Sequence, residues 1–380
     1  QASTQPRAED ILALLNERVP KRSLSLGYRL AVVVTALVIL LLPLLYIGMA
    51  LLIAWLFLYL LPVQIFASGN ANSIKSSILV FLLGPILLFF MLKPLLARRP
   101  KAIEPKPLDP RKEPLLFAYV NRLCEVVGAP KPANIYFDVN PTAAASLGFG
   151  FRAIFRRDMK LIIGLPLAGD LNLRQLSGVL AHELGHFAQG ASMRLTRVVD
   201  AINAWFASVV YGRDVWDERL ESWSDSSQYS FGSLFRMARG LIWLTRRYLW
   251  LLMMAGHAVS RYTSRQMEFD ADRYKATVSG SEAFAETLRR VRVLDLAAAV
   301  ASRHVNEMWS EGRLVNDLPG LAVASVDRID PQLLMALDEH ASKQETGYFD
   351  THPAFRERVA RAESKQTPGI VTDERPARVL

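Results

Sequence analysis

His182 and His186 stand four residues apart in the run Leu176-Ser177-Gly178-Val179-Leu180-Ala181-His182-Glu183-Leu184-Gly185-His186-Phe187. If that run is helical, both imidazoles leave one face a single turn apart. Two rings so placed can hold one Zn2+ at about 2.0–2.1 Å each. Glu183 follows the first ring, turned by roughly 100° around the helix. It can reach a water molecule activated by the metal without binding the metal itself. Hydrolysis needs that division of labour, with the metal acidifying water and a carboxylate taking the proton. Two solvent-facing histidines on an ordinary helix are the plain alternative. Against it stand the small residues Gly178, Ala181, Gly185 and Ala188 around the motif. A glycine inside a helix costs about 1 kcal/mol relative to alanine, so Gly185 implies that another element packs close there.

A catalytic zinc needs a third protein ligand and an open fourth position. No third histidine follows at short range, which excludes the metzincin spacing. The single cysteine, Cys124, is distant in sequence. A carboxylate on a second helix remains. Glu268 and Asp272 lie four apart in Arg265-Gln266-Met267-Glu268-Phe269-Asp270-Ala271-Asp272-Arg273 and so share a helical face. One can bind metal while the other orients a ligand histidine through its far ring nitrogen. Spacing does not choose between them. Nor does it exclude an exposed acidic face balanced by Arg265 and Arg273.

The elements that must position these groups can be read from pattern. Leu171–Gln189 reads as one helix with Asn172 as its N-cap. Ser264–Thr277 and Ser281–Ser302 read as two more. Glu113–Val127 has helical apolar spacing and ends at Gly128. Asn134–Val139 and Met159–Leu165 have strand texture, and Ala143–Phe151 reads as an edge strand. The fold class expected is α+β, a mainly helical domain with a small β-sheet.

The chain has 380 residues, 51% apolar composition and a formal charge of +9. That is enough chain for a substantial core, and one cysteine rules out an internal disulfide framework. The positive charge lies mostly beside long apolar runs, which points to a lipid bilayer and not to nucleic acid. Leu30–Leu61 carries no charged side chain. As a helix it would extend roughly 48 Å, beyond a ~30 Å hydrocarbon core, so it reads as one span, tilted or kinked near Pro43, with a re-entrant hairpin as the alternative. Ile78–Ala97 reads as a second transmembrane helix. Basic residues crowd the outer ends of this pair, at Lys21, Arg22 and Arg29 and at Lys93, Arg98, Arg99, Lys101 and Lys106. The positive-inside rule then places both ends, and the remaining chain, in the cytoplasm. Gly240–Val259 carries Arg246 and Arg247 near its centre; two such residues in mid-membrane cost about 5–7 kcal/mol on an insertion scale. It reads as an amphipathic helix lying on the membrane or on the protein, and the polar segment Gly212–Leu234 as a candidate lid.

His-Glu-Leu-Gly-His after Leu-Ala, the distal Glu268-x-x-x-Asp272, and Thr351-His352-Pro353 before an Arg-bearing helix resemble the HtpX / CAAX prenyl endopeptidase family of membrane zinc metallopeptidases. The resemblance covers about Pro114–Glu363. It implies a zincin-like fold of the gluzincin type and one Zn2+ per chain. It implies that His182, His186 and Glu268 are ligands, Glu183 the general base and Asp272 a partner behind the ligands. It places His352 at the edge of the active site, able to stabilise an oxyanion. It implies polypeptide substrates, with membrane-protein quality control as the setting and the bacterial inner membrane as the location. One departure stands out. The family's edge strand carries an aromatic after Asn-Ala; here the segment reads Asn140-Pro141-Thr142-Ala143-Ala144-Ala145-Ser146-Leu147, so its side-chain preference should differ.

The division expected is 1–29 as an N-terminal cytoplasmic segment, 30–97 as membrane anchor, 98–112 as linker, 113–363 as protease domain and 364–380 as a flexible C-terminal tail. Oligomeric state is not legible. A non-catalytic zinc-binding scaffold that holds client proteins, and a protease with its motif inside the membrane, are the competing readings.

Overall fold

A computed structural model of the chain describes residues 8–20, 25–67, 71–96, 106–147, 159–189, 191–212, 218–219, 221–222, 232–347, 350 and 353–380. These fall into two units: Gln1–Ser25, Ile103–Arg194 and Ser264–Leu380 form one, Leu26–Ala102 and Leu195–Thr263 the other. The candidate lid lies largely outside the described residues.

The second unit is helical. Its first helix runs from Leu26 to Trp55, passes through a π-helical stretch at Leu56–Leu60, and continues as Leu61–Ala67. There is no hairpin. Pro43 sits within the helix, and the irregularity falls later, in the π-helical stretch. Leu30, Leu37, Leu44 and Leu51, each seven residues on from the last, all face outward. Ala36, Ile39, Tyr46 and Ala50 form the buried stripe. Ala71–Leu96 is the next helix, and Tyr46 donates its hydroxyl hydrogen bond to Met91 O at 2.7 Å. Helix Ala191–Tyr211 adds Val199 and Phe206 to the same core, and the long helix Gly232–Ser279 adds Ile242, Leu249 and Met253. A Cβ on Gly256 would meet Asn203 Oδ1 at 2.8 Å and Ile39 Cδ1 at 3.2 Å, so this glycine leaves room for side chains of two neighbouring helices.

The long helix corrects one expectation. Gly240–Val259 and Ser264–Thr277 are not separate elements but stretches of one helix ending at Ser279. Composition changes between them from apolar to polar, yet no breaker intervenes, and helical backbone does not respond to polarity alone. The stop comes at Gly280, with φ +87.

The first unit holds the sheet. Helix Pro114–Val127 starts on a proline and ends at Gly128, whose φ of 79 turns the chain so that Ala129 N–H also reaches Cys124 O, at 2.9 Å. Ile11 and Leu15, fully buried, belong to the same core, and Val19 N–H donates to Val126 O at 2.9 Å. Residues 8–19 are thus part of this unit's core. Strands β1 (Asn134–Asp138), β2 (Ala143–Leu147) and β3 (Met159–Gly164) follow. Their order is β1-β3-β2. β1 runs parallel to β3 and β2 antiparallel to it, which leaves β2 at an edge.

The helix expected from Leu171, capped by Asn172, is present and unbroken, with a short helix before it. Leu165–Asp170 forms a short helix, and the motif helix is Leu173–Ala188. Asn172 caps the latter by accepting from Gln175 N–H, while the Gln175 side chain accepts from Asn172 N–H, a reciprocal capping box. Helices Glu282–Ser310, Leu318–Ser325, Pro331–Lys343 and Phe355–Glu363 complete the unit. Residues beyond 364, expected as a loose tail, pack against this unit through a turn, a single bridge between Pro376 and Asn172 and a short 3-10 helix at Ala377–Val379, with Val371 and Ala377 buried. The apolar residues Ile370, Val371, Ala377, Val379 and Leu380 give that stretch something to bury.

Candidate metal centre

The motif helix and the end of the long helix meet through glycine. A Cβ on Gly178 would lie 2.6 Å from Ser279 Oγ, and one on Gly185 would lie 2.8 Å from the Tyr274 ring. These are the close approaches that the small residues imply. Between those two contacts the side chains converge. His182 Nε2 lies 3.5 Å from Glu268 Oε2, and His186 Nε2 lies 3.7 Å from Glu268 Oε1. The three donor atoms all fall within 4.8 Å of one another. Donors around a tetrahedral zinc at 2.0–2.1 Å are spaced by about 3.3 Å. The set therefore fits one metal ion once the donors draw in from separations of up to 4.8 Å, and its chemistry of two imidazoles and a carboxylate suits zinc.

Asp272 sits behind the first histidine. Its Oδ1 is 3.2 Å from His182 Nδ1, and Arg358 grips the same carboxylate through two hydrogen bonds of 2.8 and 2.6 Å. Arg358 comes from Phe355–Glu363, so a third helix orients the first ring through Asp272. Burial opposes charge on Asp272, but Arg358 and His182 outweigh it and lower its pKa to about 2. Burial likewise opposes charge on His182, yet the Asp272 and Glu268 carboxylates, with Glu183 nearby, raise its pKa to about 9. Lys275, only 2% exposed, lies over the Phe284 ring. Burial first, then Arg358, drives its pKa down to about 7.

Glu183 points from the motif helix towards the sheet edge, where its Oε2 accepts from Ala145 N–H at 3.4 Å. That donor belongs to β2, an edge strand of the sheet among the described residues. Cys124 is buried in the core of helix Pro114–Val127, and burial pushes its thiol up to about 12; it is not among the clustered donors.

The structure therefore brings together His182, Glu183, His186, Glu268 and Asp272. His352 lies outside the described residues. Sequence reading passed over Arg358, Lys275 and the Ala145 amide. Arg358 had a signal, an arginine on the helix that follows His352-Pro353; the other two had none, because a backbone donor and a buried lysine acquire meaning only from what packs around them.

Comparison with known proteins agrees. The model of peptidase family M48 matches residues 115–366. A protein named protease HtpX homolog from Bacillus pumilus is 23% identical over 266 residues, covering 68% of this chain and 74% of its own length. Another so named, from Acidiphilium cryptum, is 26% identical over 258 residues, covering 67% and 75%. A third, from Herminiimonas arsenicoxydans, is 25% identical over 257 residues, covering 66% and 72%. No solved structure matches the chain. With two thirds of its length inside the family model and relatives of this kind, the chain is a membrane metalloprotease belonging to peptidase family M48.

Proposed function

We propose that the protein is a zinc-dependent endopeptidase of the bacterial inner membrane whose catalytic unit faces the cytoplasm. The observation that carries this reading is the convergence of His182, His186 and Glu268 within 4.8 Å, with Glu183 on the same helix as the two histidines. The three would hold one zinc per chain. When bound, the metal supplies the Lewis acidity that makes water nucleophilic near neutral pH and polarises a peptide carbonyl. Glu183 takes the proton from the attacking water and delivers it to the leaving amine. The Ala145 amide steadies the Glu183 carboxylate, and the Arg358–Asp272 pair fixes the His182 ring. His352, which precedes the Arg358 helix in sequence, stabilises the developing oxyanion. A polypeptide substrate enters extended, adding its backbone to the edge of β2. The small side chains of Ala143, Ala144 and Ala145 favour breadth over selectivity.

The anchor is read as 30–97, the linker as 98–112 and the protease domain as 113–363. Among the described residues, Leu26–Ile65 is long and apolar enough to cross a membrane, and Phe81–Lys93 is a shorter apolar helix. Gln1–Ser25 and Ile103–Arg194, which flank this pair of helices in the chain, belong to the same unit. A bilayer crossed by the first helix must then be crossed back by Ala71–Leu96, which supports two spans and a lipid bilayer as the standing partner. Nothing in the site calls for nucleic acid, and no observation favours a non-catalytic scaffold.

The test is to purify the chain in detergent, measure bound zinc and follow casein cleavage for wild type, Glu183→Gln and Glu268→Ala. Near-equimolar zinc, cleavage by wild type alone and metal loss from Glu268→Ala are expected. Cleavage by Glu183→Gln at the wild-type rate would sink the assigned base, and absence of zinc from wild type would sink the site.

A further inference from the structure

The family match ends at residue 366, and the stretch that follows touches both helices that carry the clustered donors. At the end of the long helix, Ile370 N–H donates to Thr277 O at 3.1 Å and to Val278 O at 2.9 Å, and Val371 N–H also donates to Val278 O at 2.9 Å. Ser281 N–H donates to Thr367 O at 2.9 Å. A few residues on, the same stretch reaches the start of the motif helix. Arg174 N–H donates to Asp373 O at 2.9 Å, Leu173 N–H to Arg375 O at 2.8 Å, and Ala377 N–H to Leu171 O at 2.9 Å. One strand of backbone therefore satisfies the open carbonyl end of one ligand-bearing helix and the open amide end of the other, groups that no helix can satisfy internally. Arg174 adds a direct stitch, its Nε donating to Ser279 O at 2.6 Å.

The crossing is tight. Gly280 and Gly369 have φ of +87 and +94, and a Cβ on Gly369 would fall 2.7 Å from Gly280 N and 2.8 Å from Ser279 C. Those atoms are backbone and cannot swing aside. Elsewhere the two helices meet through side chains: Gly185 lies against the Tyr274 ring, His182 faces Asp272 at 3.2 Å, and Gln189 Nε2 donates to Met267 O at 3.5 Å. Their separation sets the distances from Glu268 to His182 and His186, now 3.5 and 3.7 Å. Sites of this kind tolerate misplacement of only about 0.5 Å.

We propose that residues 367–380 form a strap that positions the metal site: by tying the ends of the two helices together it sets donor spacing, and with it metal affinity and turnover. The proposal rests on His182, His186 and Glu268 being the ligands. A strap that only added general stability would leave affinity unchanged well below the melting temperature.

The experiment uses the detergent-purified chain and four variants: one ended after Gln366, Gly369→Val, Ile11→Ala and Glu268→Ala. Ile11→Ala opens a cavity beneath the N-terminal helix and serves as a stability control. Zinc affinity is measured by chelator competition at a temperature where every variant is folded. Hydrogen exchange of the Leu173 and Arg174 amides is followed in metal-free protein, with kcat and KM on casein alongside. The shortened chain and Gly369→Val should bind zinc at least tenfold more weakly, exchange those amides faster and lose kcat more than KM. Ile11→Ala should keep wild-type affinity despite a lower melting temperature. A synthetic peptide of residues 367–380 should restore affinity to the shortened chain; if that chain does not fold, Gly369→Val carries the comparison alone. Wild-type affinity in both strap variants, or an equal loss in Ile11→Ala, overturns the strap. Glu268→Ala binding as tightly as wild type overturns the ligand reading instead, and the strap's role with it.

Discussion

The two units of the chain solve opposite problems. In the helical unit apolar side chains lie on both sides of the first helix: Leu37 is 63% exposed, while Ile39 is fully buried. Polarity does not separate inside from outside there: small residues (Ala36, Ala50) and large ones (Tyr46, Phe206) are buried, and leucines face outward. In the protease unit the contrast is between apolar and charged, and buried carboxylates are matched to partners, Asp272 to Arg358 and His182 and Asp170 to Arg290, while the buried Lys275 is pushed towards its neutral form over the Phe284 ring. The first pattern suits a solvent that is itself apolar, where packing and not water exclusion joins helices. The second suits water, where a buried charge persists only if something answers it.

Breaking the catalytic end of that contrast should have the largest effect. Glu183→Gln should lower kcat by about 10²–10⁴-fold, the range for losing a general base, with bound zinc unchanged by metal analysis. Arg358→Met comes next. It strands the Asp272 carboxylate in a buried site, which costs about 3–5 kcal/mol when one partner of a buried pair is removed. Zinc affinity should fall about 10–100-fold in chelator competition, as for other groups that support metal ligands. If Arg358→Met binds zinc as wild type does, the protease unit does not depend on answered charge.

The helical unit is probed by Leu37→Lys. On the exposed face of a water-soluble bundle it would be nearly neutral, but in mid-bilayer it should cost about 3 kcal/mol. Reduced membrane insertion with unchanged folding of the protease unit is the expected result; normal insertion would remove the reason for calling that face lipid-exposed. Tyr46→Phe should cost about 1 kcal/mol, the usual net value of a lost hydrogen bond, seen as a small drop in thermal midpoint.

Proton linkage sharpens the same comparison. In metal-free protein His182 has its pKa raised to about 9, above the ordinary value near 6.5. The stability it adds is fully present below about pH 6.5 and is lost as pH rises through 9. Metal must displace that proton, so zinc affinity should rise with pH up to about 9 and level off above it. Calorimetry in buffers of different ionisation enthalpy should find about one proton released per zinc at pH 7, falling towards zero above pH 9. Asp272 works the other way: its pKa, lowered to about 2, contributes stability above the unfolded value near 3.9 that disappears as pH falls through 2.

Much of the site was legible because its spacing is local. His182, Glu183 and His186 sit within one helical turn, and Glu268 and Asp272 within another, so backbone periodicity alone sorts them onto faces. Helix Pro114–Val127, its stop at Gly128 and the three strands were readable for the same reason, since proline, glycine and alternation act over a few residues. The division of labour between Glu268 and Asp272 was not legible from spacing. It follows from which carboxylate faces His182 Nε2 and His186 Nε2 and which meets Nδ1 and Arg358, and that depends on how the helices cross.

What the sequence by itself determined is the chemistry on offer: a chelating helix with an adjacent base, a distal acidic helix and long apolar runs, all written in period and composition. What only the tertiary structure decided is everything that depends on distance between segments far apart in the chain. The long helix is continuous because nothing breaks it, although its composition changes midway. Arg358 matters because a fold brings it to Asp272 across 86 residues of chain. Residues 367–380 look like a tail, because two prolines and mixed charge give no periodic signal. They are ordered because two helix ends left backbone donors and acceptors open, and this stretch supplies their partners.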